Sequence, residues 1–198
     1  GTNQSILVDS SFLQELKITD TQELYLAMRN VLGNGEVFEG SIAYGIVQNF
    51  AHFIDVDHQS YNRFKITYLD VDVKQLHANL KYSRKINKII SLNANADYFS
   101  WDVDVYHKPS FTANLNAPIN LRDKIKAAPS ISYMGKKNVI DGITSELPAQ
   151  IHANLGLYYS YSKQLSVYLQ LNNLSNSKQD LWLGYREVGF NGVFGVNF

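Results

Sequence analysis

Apolar and polar residues alternate along the last fifty residues of the chain. From Ile151 to Tyr161 every odd position is apolar or aromatic, whereas the even positions carry His, Asn, Gly, Tyr and Ser. The alternation returns from Leu165 to Asn172 and again from Phe190 to Phe198. A period of two residues is typical of a β-strand with one apolar and one polar face. The pattern therefore predicts three antiparallel strands in this region.

Short and long connections alternate along the chain, as in transmembrane barrels. The long connections centre near His58, Asp104, Asp141 and Gln179. The apolar parity is the same before and after each short connection, so each short loop contains an odd number of residues, and three is the natural length. The four predicted tight turns are Gly33-Asn34-Gly35, Lys85-Ile86-Asn87, Arg122-Asp123-Lys124 and Ser162-Lys163-Gln164.

These patterns predict an all-β fold, an antiparallel up-and-down transmembrane-type β-barrel of nine or ten strands. The barrel portion covers residues 21–198, and residues 1–20 form either an irregular opening segment or a first strand. Pro118 and Pro129 fall inside predicted strands, where proline removes a hydrogen-bond donor. We expect either a bulge or a true sheet edge at these two positions.

Three segments carry a resemblance to a known family. They are LSVYLQLNNLSN (165–176), DLWLGYREVGF (180–190) and GVNF (195–198). Together they resemble the C-terminal end of TonB-dependent receptors and related outer-membrane barrels of Bacteroidetes type. The resemblance implies a location in the cell outer membrane and a receptor with a plug domain and a barrel of about 22 strands. The chain is then interpreted as the C-terminal barrel portion, a fragment of the larger barrel.

The resemblance also implies an assembly signal at the end of the chain. Phe190, Phe194, Val196 and Phe198 share one face of the last strand, and the barrel-assembly machinery is the expected partner that reads them. Outer-membrane lipid and lipopolysaccharide are further expected partners. TonB would be contacted only through parts absent from this chain.

Four tyrosines on the apolar face are predicted to lie at the membrane interfaces. An aromatic ring with a polar tip suits the boundary between lipid and water. Core packing is the alternative. The tyrosines are Tyr82, Tyr159 and Tyr161 near tight turns, and Tyr98 about one membrane span above its turn.

The alternation is reversed in two stretches far from the turn that joins them, residues 69–73 and 99–105. Odd positions become apolar there, and even positions carry Asp70, Asp72, Asp102 and Asp104. We interpret the switch as the height at which the sheet leaves lipid and stands in water. Pairing from a turn at residues 85–87 would place Asp70 opposite Asp102, where Ca²⁺ or Mg²⁺ could bridge the carboxylates to lipopolysaccharide phosphates. Solvated side chains screened by salt are the alternative.

Composition narrows the function further. The chain of 198 residues has 18 basic and 18 acidic residues and no Cys. A neutral balance argues against a nucleic-acid partner. No nucleotide-binding, metal-protease or serine-hydrolase motif is visible, so we expect neither an enzyme nor a bound cofactor.

Two functions remain open. The first is the barrel portion of an outer-membrane receptor or transporter for an unidentified ligand. The alternative is a small self-contained soluble barrel or sandwich that binds an apolar ligand in an apolar interior. The exposure of Leu155, Leu157, Leu169 and Val196 separates the two, because a membrane barrel turns these side chains outward.

Overall fold

The computed structural model describes residues 17–33, 35–55, 64–122, 124–139, 146–162 and 164–198. Its secondary structure is entirely β. The strands are β1 (Asp20–Val31), β2 (Val37–Gln48), β3 (Ala51–Asp55), β4 (Phe64–Tyr68), β5 (Val73–Lys85), β6 (Ser91–Trp101), β7 (Phe111–Asn116), β8 (Ile119–Leu121), β9 (Ile125–Met134), β10 (Lys137–Asn138), β11 (Glu146–Leu147), β12 (Gln150–Ser160), β13 (Ser166–Asn172), β14 (Asp180–Trp182), β15 (Tyr185–Arg186) and β16 (Asn191–Asn197). Among these residues, no helix is long and apolar enough to cross a membrane.

One large antiparallel sheet forms a wall. Its strands follow the order β1-β2-β5-β6-β7-β9-β12-β13-β16, with β8 also paired to β9. Each strand of the wall lies beside its neighbours in the chain, which is the predicted up-and-down arrangement. β1 and β16 are the two edges of the sheet and are not paired with each other, so the described residues form an open wall. The all-β antiparallel fold is confirmed.

Three of the four predicted tight turns lie where the sequence places them. Leu32 and Glu36 close the turn at residues 33–35, where Gly35 has a positive φ of 80° that glycine adopts without strain. Leu121 pairs with Ile125 around residues 122–124, and Tyr161 pairs with Leu165 around residues 162–164. Asn34, Asp123 and Lys163 lie outside the described residues.

The turn predicted at residues 85–87 is displaced. Lys85 pairs with Ser91, and Ile86 donates a hydrogen bond to Ile90, so the turn lies at residues 87–89. The side-chain oxygen of Asn87 accepts hydrogen bonds from the N–H groups of Ile89 and Ile90, both at 2.8 Å. This is an Asx-type turn, which the Asn side chain itself stabilises. The displacement is two residues, so the parity of both strands is unchanged.

The expected bulge or edge at Pro118 and Pro129 does not occur. The pairing of β7 with β9 and that of β8 with β9 keep one register, so β7 and β8 form a single line interrupted at Ala117 and Pro118. The carbonyl of Pro118 accepts from Ser91, and that of Pro129 accepts from Ala117. Each proline therefore lacks only its own donor and leaves the alignment of the wall intact.

The long connections fold into a loop layer at one end of the wall. Its small hairpins are β3/β4, β10/β11 and β14/β15. One buried cluster comprises Val47, Phe50, Val73 and Val105, and a second comprises Val139, Leu147 and Leu183. Most apolar odd positions of the phase switch thus lie beneath this layer, although Val71 is exposed. The four Asp residues of the switch are exposed, in agreement with a sheet that stands in water there.

Residues 1–16 of the opening segment predicted for residues 1–20 lie outside the described residues. β1 begins at Asp20, and all twelve of its residues are exposed. Its position at the edge, with β2 as its neighbour in the sheet, accounts for part of this exposure.

Gly45 marks a close approach between β1 and β2. A Cβ added at Gly45 would lie 2.5 Å from the carbonyl oxygen of Gln22 and 2.7 Å from Cβ of Glu23. At Gly40 in the same strand, the nearest atoms are 3.9 Å away. We expect Gly45→Ala to lower the free energy of unfolding by about 1–3 kcal/mol, because backbone must move. Gly40→Ala should change it little.

Urea unfolding of the two variants beside wild type measures this difference. A Gly45→Ala protein as stable as Gly40→Ala would show that β1 does not approach β2 as closely as described.

Candidate functional site

The wall has an apolar outer face and a polar inner face. Leu24, Leu26 and Met28 on the outer face of β1 are 80%, 70% and 69% exposed. Val196 is exposed, and Leu155, Leu157 and Leu169 are half-buried. None of these four test positions is buried, whereas a soluble barrel with an apolar interior requires buried side chains there. The described residues therefore do not have the apolar interior that the soluble alternative requires.

Side chains of β5 and β6 form a hydrogen-bonded network on the inner face. Asp97 Oδ1 lies 3.0 Å from Nε2 of His77 and accepts from Nδ2 of Asn79 at 2.7 Å. Asn95 donates to the second oxygen of Asp97 at 2.9 Å and accepts from Asn79 at 3.0 Å. Such a fully connected network fixes the orientation of its amide groups. It presents oriented donors and acceptors to the space inside the wall.

An open recess of about 480 Å³ lies beside this network. Arg29 of β1 and Glu39 of β2 form an ion pair there, with Nε and Oε1 2.9 Å apart. Lys81 lies on the next strand. The remainder of the lining is largely amide and small side chains, including Asn93, Asn95, Asn114 and Asn116. Val37, Tyr82 and Ala94 add apolar surface to the lining. The recess therefore suits a ligand that combines hydrogen-bonding groups with apolar parts.

Three aromatic rings continue the inner face toward the loop layer. The rings of His77 and Phe99 stack with centroids 4.2 Å apart, and those of Phe99 and Trp101 with centroids 5.7 Å apart. Trp101 Nε1 donates to the side chain of Gln75 at 2.9 Å, and its ring packs against the cluster around Val73. The stack thus joins the polar network to the apolar underside of the loops.

Buried polar groups attach the hairpin β14/β15 to the wall. His152 of β12 lies 2.7 Å from Oε2 of Glu187, and Gln150 donates to the carbonyl of Asp180 at 2.8 Å. The ammonium group of Lys137 donates to the carbonyl of Leu181. Burial lowers the pKa of Lys137, although Glu187 and Asp180 act in the opposite direction. These contacts hold the longest described loop in one position over the inner face.

His107 belongs to the same layer and is almost fully buried. Its ring stacks on that of Trp182, with centroids 4.6 Å apart. Burial, together with the nearby charge of Lys137, lowers the pKa of His107 to about 4. Burial also lowers the pKa of His52 in β3. The imidazoles of His52 and His107 are therefore neutral at pH 7.

The register predicted for Asp70 and Asp102 is wrong. Lys74 lies opposite Asp102, and Oδ1 of Asp102 accepts from the N–H of Lys74 at 2.8 Å. Asp70 precedes β5 and has no place in that pairing. In the part of the chain that the structure describes, no group of three or more His, Asp or Glu is placed to hold a metal ion. Binding of Ca²⁺ or Mg²⁺ at Asp70 and Asp102 stays a prediction. The cross-strand pairing that was expected to bring the two carboxylates together does not occur.

The predicted interface tyrosines are on the outer face. Tyr98, Tyr159 and Tyr161 are 46%, 40% and 67% exposed, and Tyr82 is half-buried against Phe38 with ring centroids 4.8 Å apart. Sequence reasoning missed further outer-face aromatics at the same heights, namely Tyr44, Phe111 and Tyr133. Alternation places these three on the apolar face as clearly as the four that were chosen. A location at the lipid boundary stays a prediction for all of them.

The predicted assembly residues lie on or beside the edge strand β16. Phe194 and Val196 pair with Leu169 and Val167 of β13, while Phe190 and Phe198 flank the strand. The exposed fractions of Phe190, Phe194, Val196 and Phe198 are 53%, 69%, 44% and 101%. The shared face is as predicted, and recognition by an assembly factor stays a prediction.

Comparison with solved structures relates the wall to outer-membrane receptors. A complex of the ferric enterobactin receptor PfeA is similar with a TM-score of 0.71 at 15% sequence identity, covering 91% of this chain and 31% of that one. The copper transporter OprC gives a TM-score of 0.70 at 14% identity, covering 94% and 32%. The siderophore receptor PiuA from Acinetobacter baumannii gives 0.65 at 17% identity, covering 91% and 28%.

Similarity at these identities shows a shared fold. The chain spans about a third of the length of each of these receptors. No protein-family profile and no curated protein sequence matches the chain. Its fold is therefore that of part of the barrel wall of outer-membrane receptors and transporters.

Proposed function

We propose that the chain is part of the barrel wall of an outer-membrane receptor or transporter of the TonB-dependent type, in the cell outer membrane. The observation that carries the proposal is the division between an exposed apolar outer face and a polar inner face across one wall. Lipid accounts for the exposure of outer-face side chains in interior strands, such as Leu80 and Ile131, which water would not favour. The similarity of the fold to ferric siderophore and copper receptors supports the same function.

The inner face is proposed to contribute to the path of a polar ligand. Its amide groups, the network around Asp97 and the ion pair of Arg29 with Glu39 offer donors and acceptors of both charges. The loop layer covers one end of this face through the contacts of Lys137, Gln150 and His152. Lipopolysaccharide would surround the loop end, and TonB would act through other parts of the protein. We also propose that the receptor is of the Bacteroidetes type, as the sequence resemblance implies.

Single cysteines test the proposed placement, since the chain has no Cys of its own. A membrane-impermeant maleimide added to intact cells should label Lys136→Cys in the loop layer. It should not reach Ile131→Cys, because that outer-face position, 50% exposed in the structure, would be covered by lipid. Gln164→Cys at a tight turn should be labelled only after the cells are opened.

Denatured protein supplies the control, because all three cysteines must then react. Labelling of Ile131→Cys in intact cells as fast as Lys136→Cys would contradict the membrane placement. Labelling of Gln164→Cys in intact cells would contradict the orientation.

A further inference from the structure

Basic residues gather at the tight-turn end of the wall. One group surrounds the turn between β5 and β6, and another surrounds the turn between β8 and β9. All the side chains are exposed. We call the set the basic rim, and its members are Arg84, Lys88, Arg122 and Lys124.

The two turns of the basic rim are in direct contact. The N–H of Asn120 donates to the carbonyl of Ile89 at 2.8 Å, and the N–H of Ser91 donates to the carbonyl of Pro118 at 3.0 Å. These bonds fix one turn beside the other. The basic residues of both turns therefore belong to a single surface.

Little negative charge opposes this surface. Arg84 forms an ion pair with Glu36, with the charged atoms 2.7 Å apart. Within the described ranges, Lys88, Arg122 and Lys124 have no carboxylate within 4.0 Å. Asp123, between two of them in sequence, lies outside those ranges. The opposite end of the wall carries the exposed acidic residues of the phase switch together with exposed basic residues such as Lys74, Lys108 and Lys136.

Apolar side chains are exposed beside the cations of the basic rim. Ile86, Ile89, Leu121 and Ile125 are 51%, 42%, 42% and 43% exposed. Leu121 and Ile125 form a cross-strand pair on the outer face immediately next to Arg122 and Lys124. Exposed apolar residues interleaved with Lys and Arg are typical of surfaces that lie at the boundary between acyl chains and headgroups.

We propose that the basic rim binds the phosphates of anionic phospholipid headgroups, with the four apolar side chains in contact with the acyl chains. The ammonium and guanidinium groups donate charge-assisted hydrogen bonds to phosphate oxygens, and the charge of the rim attracts an anionic leaflet. This inference rests on the proposed membrane placement and adds the class of lipid that the tight-turn end selects.

A fluorophore at Ile89→Cys measures the selectivity. The protein is reconstituted in phosphatidylcholine vesicles that contain a nitroxide quencher on the headgroup of either phosphatidylglycerol or phosphatidylcholine. Quenching at equal quencher fractions gives the ratio of the two lipid association constants at the rim. We expect phosphatidylglycerol to associate at least about three-fold more strongly at low salt, and the preference to fall at high salt.

Two charge-matched variants locate the effect. Lys88→Gln/Arg122→Gln/Lys124→Gln should reduce the ratio to about one. Lys17→Gln/Lys74→Gln/Lys178→Gln removes the same charge from exposed positions away from the basic rim, and its ratio should equal that of wild type. Should the first triple variant fail to fold, Lys88→Gln alone should lower the ratio by a smaller factor.

A wild-type ratio near one overturns the proposal, and so does an equal decrease in both triple variants. An acidic protein partner at the rim, in place of lipid, would give the ratio near one. If neither quencher reaches the fluorophore, the proposed membrane placement is wrong. If both quenchers reach it equally, the rim lies in lipid but does not select anionic headgroups.

Discussion

Replacing Leu80 with Arg should lower the free energy of unfolding in a lipid bilayer by about 2–4 kcal/mol, the range for a cation near the middle of a lipid-facing wall. Leu80 lies in the interior strand β5, opposite Gly40 and Ala96, and its side chain is 54% exposed on the outer face. On a water-exposed surface the same replacement would change stability by less than about 0.5 kcal/mol. The size of the effect therefore reports the solvent of the outer face.

Ser83→Arg is the matched control for Leu80→Arg. Ser83 lies in the same strand but on the inner face, where it lines the recess. Urea unfolding of both variants in phospholipid vesicles, followed by Trp fluorescence, provides the comparison. Equal losses for the two variants, or no loss for Leu80→Arg, would contradict contact between the outer face and lipid.

Acidification should open the loop layer. His107 has a pKa of about 4 in the folded protein, against about 6.5 in an unfolded chain. Between these pH values the open state binds more protons than the closed state, so acid favours opening. The contribution of neutral His107 to the stability of the layer is fully present above pH 6.5. It is lost as the pH falls toward 4. A shift of this size corresponds to about 3 kcal/mol. His52, whose pKa is also lowered, contributes in the same direction.

Trp182 reports the transition because its ring stacks directly on that of His107. A Trp101→Phe background leaves Trp182 as the single Trp. We expect its fluorescence to change between pH 6.5 and 4, and a His107→Phe variant to keep the aromatic contact with a much smaller change. Among the described residues, Lys137 lies near His107, and Glu187 and Asp180 lie near Lys137. A transition of equal size in His107→Phe would assign the effect to groups other than His107.

The strands could be predicted from sequence because alternation is a local property. Each residue of the C-terminal segments reveals its face through its own polarity, and parity across a turn then limits the loop to an odd length. Parity does not distinguish a turn at residues 85–87 from one at residues 87–89. The local signal that does is Asn87, whose side chain stabilises the first position of the turn.

The displacement of this turn by two residues also changes which side chains face each other across β5 and β6. With the turn at 85–87, Asp97 would lie opposite Gln75, and Asp70 opposite Asp102. In the structure Asp97 lies opposite Asn79, which creates the network with His77 and Asn95. The network therefore depended on a register that the hydrophobic pattern alone does not determine.

The loop layer could not be predicted for a different reason. Some of its strands are very short, since β10, β11 and β15 have two residues each. An alternating pattern cannot be recognised in two residues. The positions of the hairpins depend on contacts between distant parts of the chain, such as that of Lys137 with Leu181 and that of Phe53 with Trp182. The only sequence signal was the switch of apolar residues to odd positions, which reflects burial beneath these loops.

The order of the strands in the wall also limits how the chain can fold. Since each strand pairs with its neighbours in sequence, every step of sheet formation closes only one loop, and the entropy lost at that step stays small. A hairpin such as β5 with β6, once formed, presents two edges on which the next strands can pair in either direction. Folding by successive addition at an edge is expected to be faster than for a sheet of the same size whose partners are distant in sequence.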